Sequence, residues 1–207
     1  MPLRTVIARK ESGNSTARWF ALFVGIVMLA SVAAYVFSIN PNSQAGNFRF
    51  GGLTFRQSAQ GFYASEINGQ PLILAYRPED ISDVDLPGSI VQKLTGTTSL
   101  QTTYYWNSTF AQSMALFELD ASNILDAKYG VFIQPGFTTS NAIKRPVVTC
   151  ANATSFVPVL LLQEANNTAI GFDSSNSNCI VVNASSDADF VRVSERILYA
   201  ILAGPGK

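Results

Sequence analysis

Residues 62–77 read FYASEINGQPLILAYR. The segment falls into two strand-like runs, Phe62 to Ile67 and Gln70 to Arg77, around Asn68-Gly69. Asn and Gly both tolerate positive φ, so this dipeptide closes a two-residue turn whose twist matches an antiparallel hairpin. Upstream, Phe48, Phe50, Leu53 and Phe55 mark another strand, with Gly51-Gly52 read as a bulge or bend and residues 58–61 as a turn. The N-terminal part of the domain is therefore expected to be a three-stranded antiparallel meander.

Downstream the pattern alternates. Pro87 to Leu94 reads as a short helix, and Ser99 to Trp106, rich in Thr and aromatics, as a strand. Phe110, Met114, Phe117, Ala121 and Ile124 recur at helical spacing, and Gly130 stands where a helix C-cap needs left-handed backbone. Short strands are expected at 131–134, 147–151, 156–163, 168–172 and 179–183, the later ones as a second meander. Ser186 and Asp189 form a capping box, and Phe190, Val193, Ile197 and Ile201 make the buried stripe of a closing helix. On that helix Arg192, Glu195 and Arg196 are assigned to the outer face. The fold class is α+β: one domain of mostly antiparallel sheet with two or three packed helices.

A different segment precedes this domain. Trp19 to Ile39 is 21 residues without a charge. At about 1.5 Å per residue a helix of that length spans a bilayer core of about 30 Å. Arg4, Arg9, Lys10 and Arg18 lie before it, against Glu11 alone, and the next basic residue is Arg49. That asymmetry predicts a cytoplasmic N-terminus. The organisation expected is a basic tail (1–18), a transmembrane helix (19–39), a linker (40–46) and an exported domain (47–207). Two alternatives stand beside the anchor. Ser43-Gln44-Ala45 could end a cleaved signal peptide, and an apolar helix can pack into a pilin-like filament. Asn40-Pro41-Asn42 argues against the second, because proline stops the helix before it enters the domain.

The residues after Ile39 carry ten Lys and Arg against thirteen Asp and Glu. A mildly acidic domain does not suit a nucleic-acid partner, which needs a basic face. The chain has no histidine, so the usual general base and commonest metal ligand are missing. Its two cysteines, Cys150 and Cys179, are too few for a zinc site and read as one disulfide in an exported domain. Asn-x-Ser/Thr acceptors for glycosylation stand at Asn107, Asn152, Asn166 and Asn183, with Asn14 on the cytoplasmic side.

No catalytic motif follows from the residues. Glu79, Asp80, Asp83 and Asp85 lie close in sequence, but they lack the spacing, glycine and closing glutamate of an EF-hand. Ser89 and Lys93 share a helix face without the Ser-x-x-Lys spacing. Glu66, Glu118 and Glu164 are available for carboxylate chemistry, which draws on distant positions. Tyr104-Tyr105-Trp106 offers an aromatic patch for a partner. No catalytic, cofactor or metal residue is assigned, and no cofactor is expected.

Residues 148–154 (VTCANAT), Pro158-Val159, Asn178-Cys179-Ile180 and 196–202 (RILYAIL) resemble segments of a group of small single-pass archaeal membrane proteins. The resemblance covers about 60 residues and the overall layout. It implies an archaeal cell-surface location, compatible with both disulfides and glycans, and brings no activity. Ala203 to Lys207 extends past the terminal helix in departure from that group. The function expected is a membrane-anchored extracytoplasmic domain, held in the bilayer by residues 19–39 and outside the cell membrane. It would bind another surface or membrane protein or serve as an accessory subunit. A carboxylate-dependent surface hydrolase and a solute- or lipid-binding domain are the alternatives.

Overall fold

The computed structural model describes residues 46–204. The tail, the apolar segment Trp19 to Ile39 and most of the linker lie outside the described residues. Among the described residues no helix is long and apolar enough to cross a membrane.

The domain is α+β, with an antiparallel sheet and three α-helices. β1 (Phe48–Phe50), β2 (Leu53–Gln57), β3 (Tyr63–Ile67) and β4 (Gln70–Leu74) pair antiparallel in that spatial order. Asn68 and Gly69 have φ of 50° and 77°, and Ile67 faces Gln70 across the turn expected from the sequence. Gly51 and Gly52, at φ 57° and 87°, reverse the chain as well. The meander therefore has four strands, because a second tight turn replaces the expected bulge.

A second sheet follows from α1 (Gly88–Thr95), β5 (Ser99–Tyr104), α2 (Ala111–Tyr129), β6 (Phe132–Phe137), β7 (Val159–Glu164), β8 (Ala169–Phe172), β9 (Cys179–Ala184) and α3 (Asp187–Ala203). Its five strands run in the order β6-β5-β7-β9-β8. β5 is parallel to β6 and to β7, and β7 is parallel to β9; only β8 and β9 are antiparallel. The expected C-terminal meander is thus reduced to one hairpin. Parallel neighbours need a long connection between them, which α2 supplies between β5 and β6. Residues 138–158 carry the chain from β6 to the far side of β5.

That long connection has no strand at 147–151. Val147 makes a single bridge to Phe137, and Cys150–Asn152 form a 3₁₀ turn. Hydrogen bonds compensate for the missing ladder. Asn141 bonds the backbone of Arg145 on both sides, Thr103 Oγ1 donates to Val148 O, and Asn176 Nδ2 donates to the carbonyls of Cys150 and Ala153. The Cys150–Cys179 disulfide ties this turn to the start of β9.

One core joins the elements. Met114, Phe117, Ala121 and Ile124 of α2 are buried as their spacing predicts, as are Phe190, Val193, Ile197 and Ile201 of α3. Gly130 adopts the left-handed C-cap, and Ser186 Oγ accepts from Asp189 N–H. Tyr199 is fully buried against the rings of Phe50 and Phe55 and donates its hydroxyl to Tyr76 O at 2.7 Å. This packing holds α2 and α3 beside β4, the outer strand of the antiparallel sheet.

Candidate functional site

An open groove of about 440 Å³ lies between the β4 edge and helices α2 and α3. Phe62, Ile73, Leu116 and Leu119 line it and are all exposed. Isolated exposed apolar residues are ordinary; four converging on one groove with an unpaired strand beside it are the feature of interest.

The strand register explains what the edge offers. Ile67 and Gln70 flank a two-residue turn and form a hydrogen-bonded pair, so Leu72 and Leu74 also direct their main-chain groups towards β3. Pro71 and Ile73 direct theirs outwards. Pro71 has no N–H, leaving its carbonyl and both main-chain groups of Ile73 on the open edge. Ala75 N–H, the next outward donor, goes to Glu195 Oε1 at 2.6 Å, and Tyr76 N–H goes to Glu195 Oε2 at 2.9 Å. One carboxylate thus stands where a neighbouring strand would continue.

Glu195 is only 5% exposed, contrary to its assignment to the outer face of α3. Burial pushes its carboxyl up to about 7, against the pull of the two amides, and the nearby Asp120 charge pushes the same way. Asp120 lines the same groove one turn after Leu116. Burial pushes it up to about 6. Among the described residues no hydrogen bond or ion pair reaches the Asp120 carboxyl, and the groove lining contains no Lys or Arg.

The carboxylates singled out from the sequence do not converge. Glu66 is exposed on β3. Glu118 is buried, accepting from Thr102 Oγ1 at 2.6 Å and pairing with Arg145 at 3.1 Å. Glu164 accepts from Ser108 Oγ, Thr109 N–H and Thr109 Oγ1, which hold it below its ordinary range. In the acidic segment, Asp83 pairs with Arg192, and Asp80 accepts from Arg77 N–H. Lys93 bonds Asn178 Oδ1 rather than Ser89. Among the described residues no group of three or more Cys, Asp or Glu side chains assembles into a metal site.

Other sequence-derived positions are scattered over the surface. Asn107, Asn152 and Asn166 are exposed, whereas Asn183 is half-buried in β9 and accepts from Gln163 Nε2. Tyr105 and Trp106 are exposed, while Tyr104 packs edge-on against Phe137. The groove itself escaped the sequence reading. Its one legible sign was Leu116 and Leu119, two leucines off the core stripe of α2.

These features define an α+β domain with an acidic, apolar groove beside an open sheet edge. The chain matches no protein-family model, no curated protein and no solved structure.

Proposed function

We propose that this chain is a membrane-tethered protein-binding domain, held outside the cell by residues 19–39, and that its partner docks in the groove beside β4. An archaeal surface complex is the setting implied by the sequence resemblance. The observation that carries the reading is the convergence of Phe62, Ile73, Leu116 and Leu119 on an unpaired strand edge. Apolar area left in water at such a place is stabilised by a partner that covers it.

The groove does not suit the other two readings as well. Phe62, Ile73, Leu116 and Leu119 in its lining are each about half exposed to solvent, so the groove lacks the closed walls with which a solute or lipid pocket surrounds its ligand. Glu195 is committed to two backbone amides, which takes it away from acid–base duty in a hydrolase. Site-specific photocrosslinking in native membranes tests the proposal. A photoreactive residue at Leu119 should capture a discrete partner, and one at Asn167, on the exposed β7–β8 turn, should not. Equal capture from both positions, or none from Leu119 and Leu116, would sink it.

A further inference from the structure

Resting on the docking reading above, we infer that the groove's occupant is an extended segment of the partner, added as a further strand to β4 and carrying a Lys or Arg that meets Asp120. Three observations lead there. The edge presents Ile73 N–H, Ile73 C=O and Pro71 C=O in line, which is the hydrogen-bonding pattern an incoming strand satisfies. Beyond them Glu195 already holds Ala75 and Tyr76, so the added strand is short and ends at that carboxylate.

The second observation is geometric. A strand beside β4 runs between Ile73 and the α2 face that carries Leu116 and Leu119. Alternate side chains of the incomer then enter the groove, as the period of two requires.

The third is charge. Among the described residues Asp120 has no hydrogen-bond or ion-pair partner, the charged group beside it in the groove is the like-charged Glu195, and no basic residue lines the groove. A partner that covered it with apolar atoms alone would bury an unpaired carboxylate or force its protonation. A cationic side chain converts that cost into a charge-assisted hydrogen bond. The same argument disfavours a second copy of this chain docked groove to groove, which would bring another Asp120 and Glu195 instead of a cation.

The probe is a displayed library of random twelve-residue peptides, selected on the full chain in detergent micelles. Enriched peptides should alternate apolar residues and carry one Lys or Arg. Their binding should fall at least tenfold in Asp120→Asn, whose thermal unfolding confirms a folded domain. The Ile73 amide should become protected from hydrogen exchange in the complex. If binding is lost in Leu116→Glu and Leu119→Glu yet is indifferent to Asp120→Asn, or leaves Ile73 unprotected, the groove is a docking site but this occupant is wrong. If nothing is enriched, or binding ignores the leucine variants, this inference and the docking reading both fall. A dimer of the chain that protects Ile73 without peptide would identify a second copy as occupant and overturn the inference.

Discussion

Glu195 shows how one buried carboxyl sets a pH dependence for the whole domain. Its folded pKa, about 7, lies above the value near 4.5 of an unperturbed glutamate. The folded state therefore binds the proton more tightly than the unfolded chain. The sign follows: stability is gained as pH falls from above 7 towards 4.5 and lost as pH rises through 7. Asp120 acts in the same direction between about 4 and 6. Asp83, Glu164, Asp173 and Asp189 are shifted down and oppose this trend only at lower pH, where they begin to protonate. Thermal unfolding midpoints should thus rise between pH 8 and pH 5, with Glu195 contributing about 3 kcal/mol at full protonation. Glu195→Gln should flatten the slope; a slope equal to wild type would assign it elsewhere. Glu118 matters as a contact: it joins the fully buried Thr102 hydroxyl to the part-exposed Arg145. Glu118→Ala leaves the Thr102 hydroxyl without an acceptor and Arg145 without its ion pair. It should cost about 2–4 kcal/mol in urea titration, and a loss below 1 kcal/mol would contradict the role given to this contact.

At the scale of elements, the Gly51-Gly52 turn is the sharpest case. Both glycines have positive φ, yet only Gly51 lies against α3, where an added Cβ would sit 2.7 Å from Leu202 Cβ and from Leu202 O. Gly52 faces open space. Gly52→Ala should therefore cost about 1–2 kcal/mol from backbone conformation alone, and Gly51→Ala distinctly more, read as paired denaturation midpoints. Equal losses would mean that the hairpin shifts off α3 cheaply. The disulfide has an element-level role too. It ties the β6–β7 connection to the start of β9 across a sequence separation of 29 residues that includes β7 and β8, and removing it should cost about 3.5 kcal/mol. These elements also mark what could be read from the sequence. Periodicity located α2 and α3, and residue types marked the Gly130 C-cap, the Ser186 N-cap and the Asn68-Gly69 hairpin, because all of these are local; the start of α2, three residues past Ser108 with no side-chain cap, was not marked. Strand direction was not local. A strand–helix–strand order from Ser99 to Phe137 already implied a parallel crossover, but the hairpin-like loops after Phe156 suggested a meander. Glu195 was misassigned because a helical wheel sees one helix, whereas the residues just past β4, Ala75 and Tyr76, supply the amides that cover it.

For the molecule as a whole, the groove matters only if the domain faces the partner's compartment. Four basic residues precede Trp19, and the ten Lys and Arg after Ile39 begin only at Arg49, so charge bias favours a cytoplasmic start. The Cys150–Cys179 bond agrees with this orientation, since disulfides persist outside the reducing cytosol. With both native thiols bonded, a single introduced cysteine reports topology directly. Ser174 sits on the exposed β8–β9 loop, and Glu11 lies in the basic tail. In intact cells a membrane-impermeant maleimide should label Ser174→Cys and leave Glu11→Cys untouched until the membrane is opened. The reverse pattern would place the groove inside the cell, where its partner would have to be cytoplasmic. Labelling of both in intact cells would mean that the apolar segment does not separate them. Combined with crosslinking from Leu119, the labelling separates two claims that otherwise stand together: that the domain is outside, and that the groove is what it presents there.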